Sequence, residues 1–202
     1  MIYYISKFFV GLYIRLFFRI KVIGKKNMPK GNFIGVCNHY SNFDVMIINV
    51  RIKKFHYLAK KEMFKNKFIG WYLKRIGGYP VDRERTDLDA IKHSIKTINS
   101  GKYFMVFPEG TRNKTADTEH MQEMKQGAIM LASKTGRQIV PMLIEKPPKM
   151  FRRNRLIIGT PMDVVGENPK KLTKEEMDKN AEILQHRMDE LRQILKDTEK
   201  NK

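Results

Sequence analysis

The sequence predicts a single α/β domain, a mostly parallel or mixed sheet flanked by helices, preceded by one apolar N-terminal helix. Three observations predict it. From about residue 21 short β-like runs alternate with helix-like stretches, the pattern of a sheet covered on its faces by helices. No Gly/Ser-rich or Pro-rich linker and no internal repeat divides residues 25–165. With 202 residues, 42% of them hydrophobic, the chain can build one substantial core and is too apolar for disorder.

Residues 2–18, IYYISKFFVGLYIRLFF, are apolar apart from Ser6, Lys7, Gly11 and Arg15. At about 100° per residue, positions 7, 11 and 15 form a narrow stripe that Arg19 extends. Lys21, Lys25, Lys26 and Lys30 follow. A membrane span wants about 20 apolar residues with few charges, and no small-residue cleavage site marks a signal peptide. Core packing, a true span and an interfacial helix are all open readings. An apolar face with basic anchors favours the interfacial one, so residues 1–20 are expected to form a membrane-associating helix ahead of a domain over residues 21–202.

Strands are expected at 19–24, 32–37, 55–59, 78–81, 103–107, 138–144 and 155–160, and helices at 42–50, 65–75, 87–99, 124–135 and 173–198. The clearest helix is 87–99, where Leu88, Ile91, Ile95 and Ile98 recur at helical spacing and Gly101 follows. His93 falls opposite that face and is expected in solvent. In the last helix Met177, Ala181, Leu184, Met188, Leu191 and Leu195 alternate spacings of four and three. That stripe fits packing on the domain or pairing with a second chain, and the charge scattered over the other faces favours the first.

The chain carries 40 Lys and Arg against 21 acids, a net charge of +19, which calls for an anionic partner. Residues 1–75 hold 16 of the basic residues and only two acids, Asp44 and Glu62. One surface, built mainly from the N-terminal part, therefore faces the polyanion. A nucleic-acid-binding module would account for the charge but not for the aromatic segment beside it, and no nucleic-acid motif is visible. Cys37 is the sole cysteine, so neither an internal disulfide nor a zinc spacing is present.

Three segments carry candidate chemistry. In Asn38-His39-Tyr40-Ser41-Asn42-Phe43-Asp44, His39 and Asp44 would diverge by about 140° on a helix. They meet if His39 lies in a strand-to-helix turn and Asp44 reaches back from the first helical turn, leaving one ring nitrogen as a base. The alternative is a capping arrangement with Ser41 at the N-cap and His39 uninvolved. In Gly77-Gly78-Tyr79-Pro80-Val81-Asp82-Arg83, the glycines suit a turn or a close backbone approach. Arg83 there is either an anion ligand or solvated. In Phe107-Pro108-Glu109-Gly110-Thr111-Arg112-Asn113, a rigid bend follows a strand end, where open α/β sheets bind ligands. Arg112 and Thr111 could hold a phosphate there, with Glu109 orienting a hydroxyl or the arginine, and Lys125 adds a cation ahead of Gly127; the alternative is a plain turn followed by a helix.

These segments, with Val140-Pro141 and Met124-Lys125-Gln126-Gly127, resemble the glycerolipid acyltransferase family, specifically the bacterial 1-acylglycerol-3-phosphate acyltransferases. The resemblance runs from about Val22 to Ile144. It implies direct acyl transfer from a thioester, on acyl carrier protein or coenzyme A as co-substrate, with no cofactor, metal or covalent acyl-enzyme. The acceptor would be the sn-2 hydroxyl of lysophosphatidic acid, giving phosphatidic acid in phospholipid biosynthesis. An sn-1 glycerol-3-phosphate or other lysophospholipid acyltransferase is the alternative within the family. His39 and Asp44 would be catalytic. Arg83, Arg112 and Lys125 would bind the acceptor phosphate in a pocket shaped by Glu109, Gly110 and Thr111. Location at the cytoplasmic face of the cell membrane, among anionic lipids and not on nucleic acid, is implied as well. Two departures stand out: Asn113 replaces a common serine, and the segment before the first motif has room for one membrane helix where relatives often have two.

Overall fold

The structure, a computed structural model, describes residues 2–41, 43–82, 87–108 and 126–200, with side chains from residue 8 to residue 198. Helix α1 spans Ile2–Phe17 and strand β1 Ile20–Ile23; a 3-10 turn, Lys25–Asn27, leads to β2, Ile34–Cys37. Then come α2 (Phe43–Arg51), β3 (Phe55–Lys60), α3 (Lys67–Arg75), β4 (Gly78–Val81), α4 (Leu88–Asn99) and β5 (Tyr103–Val106). The chain closes with α5 (Gly127–Thr135), β6 (Ile139–Ile144), β7 (Asn154–Ile158) and α6 (Lys174–Lys200). All seven expected strands form, because each short apolar run is bounded by polar or turn-forming residues.

The strands form one sheet in the order β1-β7-β6-β2-β5-β3-β4. The five from β6 to β4 are parallel, with registers such as Val36↔Pro141 and Val36↔Val106. β7 runs antiparallel to β6, and β1 pairs parallel to β7, so the sheet is mixed. The carboxyl ends of the five parallel strands and the start of β1 consequently lie at one end of the sheet.

Period-2 alternation divides the core between the two faces. Ile14 and Phe18 at the end of α1 join Val45, Ile47 and Ile48 of α2 over one face, with Phe33, Phe55 and Met105. On the other face α4, α5 and α6 cover Ile34, Val36, Phe104 and Ile139. Leu184, Met188, Leu191 and Leu195 of α6 are buried there, so the last helix packs on its own sheet. Asn180, fully buried on the inner face of the same helix, donates to Val165 O and Glu176 O at 2.7 Å and accepts from Val165 N.

Helix α4 forms where the periodicity puts it, capped by Asp87 accepting from Ala90 N at 2.9 Å. Its buried face is rotated from the expected one, however. Ala90, Ser94, Thr97 and Ile98 face inward, while Leu88 is 62% exposed. Small residues let the helix approach the sheet closely, and Ser94 satisfies its hydroxyl on Ala90 O at 2.8 Å. His93 is not free in solvent: it is partly buried and stacks on Tyr79 with ring centroids 3.6 Å apart.

At the N-terminus Val10, Ile14, Phe17 and Phe18 pack inward, while Phe8, Phe9, Leu12 and Leu16 stay exposed. The helix is thus docked at its end and apolar on its outer side. No helix among the described residues is long and apolar enough to cross a membrane.

Candidate active site

β2 ends at Cys37, and the next residue fixes how the chain leaves the sheet. Asn38 is buried, donates through Nδ2 to Ile144 O at 2.9 Å and accepts from Ile144 N at 2.8 Å. The side chain thereby satisfies both backbone groups at the tip of β6, so residue 39 begins a turn from a fixed point. Cys37 is fully buried, with its thiol 3.5 Å from Asn38 Oδ1, and packs in the core.

His39 lies in the strand-to-helix turn and Asp44 in the first turn of α2, as the spacing required. His39 Nδ1 is 3.0 Å from Asp44 Oδ2. The same oxygen accepts from the backbone N–H groups of Tyr40 and Ser41, each at 2.7 Å, and Asp44 Oδ1 accepts from Ser41 Oγ at 3.0 Å. Ser41 Oγ also accepts from Phe43 N at 3.2 Å. The two readings of this segment therefore hold together: the turn that caps α2 is also the device that aims Asp44 at His39. An oxygen receiving two N–H donors takes a third from Nδ1, so the network assigns the proton to Nδ1 and leaves Nε2 with its lone pair. The His39 side chain is 13% exposed and that of Asp44 is 0% exposed.

His39 and Phe107 stand at one edge of an apolar cavity of about 560 Å³. Val45, Met46, Tyr57, Ala59, Met63, Ile69, Tyr72 and Leu73 are among its other walls. Such a volume is in the range of small-molecule sites, and the lining is mostly hydrocarbon and aromatic. Burial pushes the Tyr57 phenol up, with Tyr72 adding to it, so that wall stays neutral. Lys60 lies at the margin, 3.6 Å from Glu62. Phe68 and Ile69 of α3 line the cavity yet are 86% and 49% exposed, which leaves its rim apolar on the outside.

Gly77 answers the question left open by its segment. Its φ is +101°, and a Cβ there would lie 2.5 Å from Phe55 O, so both a turn and a close approach require glycine. The following strand β4 delivers Val81 to the same end of the sheet as His39. Arg83, Glu109, Gly110, Thr111, Arg112 and Lys125 lie outside the described residues. Pro141 is within β6, where the register with β7 stops at Met142↔Ile158.

Sequence reasoning did not single out two contributors, Phe107 and Asn38, and gave Ser41 only as an N-cap. Phe107 was visible only as the start of a motif, yet its ring packs on His39. Asn38 had only its place beside His39 as a signal.

Comparison with known proteins gives the family and the fold. The family model described as Acyltransferase matches residues 19–145, well over half of the chain. A Bacillus subtilis protein named 1-acyl-sn-glycerol-3-phosphate acyltransferase is 36% identical over 151 residues, covering 71% of this chain and 73% of that one. A yeast protein of the same name, from Saccharomyces cerevisiae, is 29% identical and covers 95% of this chain and 64% of its own. Among solved structures, the 1-acyl-sn-glycerophosphate (LPA) acyltransferase PlsC from Thermotoga maritima superposes with a TM-score of 0.68 at 28% identity. That match covers 94% of this chain and 80% of the other. With its mixed sheet, its His39–Asp44 turn and a family match over most of its length, the chain belongs to the acyltransferase family.

Proposed function

We propose that this chain moves a fatty acyl group from an acyl thioester to the sn-2 hydroxyl of 1-acylglycerol-3-phosphate, forming phosphatidic acid. The observation that carries the reading is the 3.0 Å contact of His39 Nδ1 with buried Asp44, made at the edge of an apolar cavity. His39 Nε2 takes the proton of the acceptor hydroxyl as its oxygen attacks the thioester carbonyl carbon. The tetrahedral adduct collapses, the C–S bond breaks, and the proton on Nε2 passes to the departing thiolate. Asp44 keeps the ring oriented and stabilises the imidazolium between the two proton transfers. The acyl chain occupies the cavity bounded by Ala59, Ile69 and Leu73.

The acceptor phosphate is assigned to Arg83, Arg112 and Lys125, with Glu109, Gly110 and Thr111 shaping the pocket. The support is the order of the chain: β4 and β5 end at the His39 end of the sheet, and in sequence Arg83 follows Val81 by two residues and Glu109 follows Val106 by three. Coenzyme A or acyl carrier protein bears the donor acyl group, and no further cofactor enters the scheme. The exposed side of α1, with Phe8, Phe9, Leu12 and Leu16, lies on the anionic cytoplasmic face of the cell membrane. This gives residues 1–20 a membrane role and residues 21–202 the chemistry.

The deciding assay offers purified protein lysophosphatidate, glycerol-3-phosphate and neutral lysophospholipids with each thioester donor, and resolves products by mass. Phosphatidic acid should dominate. Faster acylation of glycerol-3-phosphate would overturn the sn-2 assignment.

A further inference from the structure

A second cavity, of about 950 Å³, opens at the β1 edge of the sheet. Its charged walls are Arg19, Lys21, Arg51, Glu145, Arg153 and Arg155. Glu145 is already committed: Arg155 donates to both of its carboxylate oxygens, through Nε at 2.7 Å and through Nη2, and Nη2 also reaches Leu195 O at 3.1 Å. Four cations then face the cavity with no acid left among its walls. Arg51 donates from Nη2 to Ile20 O at 2.9 Å, while its buried Nε has no hydrogen-bond partner among the described residues. A buried donor without an acceptor is costly, and with Nε enclosed it keeps the Arg51 charge at the cavity wall uncompensated by any acid.

The walls are built rather than accidental. Asn154, buried at the start of β7, donates to Phe18 O, Lys149 O and Arg152 O and accepts from Lys149 N. Phe151 N donates to Phe17 O at 2.7 Å. Among the described residues, Arg19 and Phe151 are the two non-glycine ones with positive φ, 42° and 60°, and both border this junction. Their backbone is held in a sparsely populated region by those bonds.

What flanks the cavity identifies the ligand class. Phe151 is 67% exposed, Met150 46% and Leu16 61%, and Phe151 packs edge-on against Phe17. Cations beside exposed hydrocarbon fit a molecule with an anionic head and apolar tails. The cavity also shares an end of the sheet with His39: Glu145 follows Ile144, the residue that Asn38 clamps. β1 is three strand positions from β2, roughly 14 Å at the usual strand spacing, so this is a different place from the His39 cavity.

We propose that Arg19, Lys21, Arg51 and Arg153 form a headgroup site for the phosphate of an anionic phospholipid in the leaflet, separate from the acyl acceptor. The site rests on the membrane placement of α1 argued above, and adds a point of lipid recognition to it.

The test uses the full chain with vesicles of phosphatidylcholine alone or mixed with phosphatidylglycerol. Lys21→Gln/Arg153→Gln removes two exposed site charges; Lys134→Gln/Lys171→Gln removes two from the opposite end of the sheet. The first pair should lower the preference for phosphatidylglycerol vesicles by roughly 30-fold, since each basic residue near such a surface contributes about a factor of five. The second pair should change it by less than about threefold. Equal losses in the two variants would mean diffuse charge and overturn the site, as would no loss in either. Inorganic phosphate at matched ionic strength should leave wild-type vesicle binding intact; displacement by phosphate would assign the cavity to a soluble phosphate compound instead. If wild-type protein ignores both vesicle types, the membrane placement of α1 fails first and the headgroup site with it.

Discussion

Phe107 stacks on the imidazole of His39, with ring centroids 4.2 Å apart and planes inclined by 28°. Asp44 holds one ring nitrogen and Phe107 one ring face, so both the tautomer and the tilt of the imidazole are set.

Phe107→Ala should therefore lower kcat by about 10–100-fold with little change in KM, because the base is misaimed and no acceptor contact is lost. Phe107→Tyr keeps a ring and should retain most activity. Steady-state kinetics on both variants checks this; a loss confined to KM would place Phe107 in substrate binding instead.

His39→Ala should cost about 10²–10⁴ in rate, as expected for a lost general base. Asp44→Asn should fall nearly as far and also unfold more easily, by about 1–3 kcal/mol. The Tyr40, Ser41 and His39 N–H donors converge on one carboxylate oxygen and the Ser41 hydroxyl donates to the other; an amide has a single, uncharged acceptor oxygen and cannot accept at both positions. Cys37→Ala should remain active, since its thiol packs in the core. Loss of all turnover in a well-folded Cys37→Ala protein would point to an acyl-enzyme and against direct transfer.

Ala59 is 6% exposed and lines the apolar cavity. Ala59→Leu adds volume there and should shift preference toward shorter acyl donors, by about tenfold or more in the ratio of kcat/KM values. Competition between two donor lengths, read by product mass, measures it. An unchanged ratio would move the acyl chain out of this cavity.

The His56 pKa is lowered from 6.5 to about 4, first by burial and then by Lys102, Lys54 and His93. Its folded value lies below the unfolded one, so the unfolded chain binds the extra proton between those limits. Stability from keeping this ring neutral is present above about pH 6.5 and is lost as pH falls toward about 4. The ring is only half-buried, so we expect the loss to be about 1 kcal/mol after solvent screening. Denaturant midpoints of wild type and His56→Gln should accordingly converge between neutral pH and pH 4. Parallel curves would remove His56 as their source. His93, lowered by its own burial and by Lys102 and Lys96, acts in the same direction.

Local information was readable in the sequence and distant packing was not. The seven strands follow from short apolar runs between turns, and the His39–Asp44 meeting from a five-residue spacing that only a turn can close. Phe107 reaches His39 across the sheet, and nothing in either neighbourhood encodes that contact. The rotation of α4 has a similar origin. Periodicity ranked Leu88, Ile91 and Ile95 as inward, but the sheet selected Ala90, Ser94 and Thr97, whose small side chains permit closer approach. The same limit hid the cationic cavity, whose walls come from β1, α2, β7 and the residue just after β6.

The reversed direction of β1 has a further consequence. Because this edge strand runs against the parallel five, the end of α1 emerges at the same end of the sheet as the tips of β2 and β5. Phe43 and Phe68, like α1 itself, expose their rings near those tips. On the proposed function and membrane placement of α1, a two-tailed product made at His39 would diffuse sideways into the leaflet without its chains passing through water. Turnover under such conditions follows the number of acceptor molecules per unit of membrane area, and diluting the acceptor with inert lipid should slow it even when the bulk concentration is held constant.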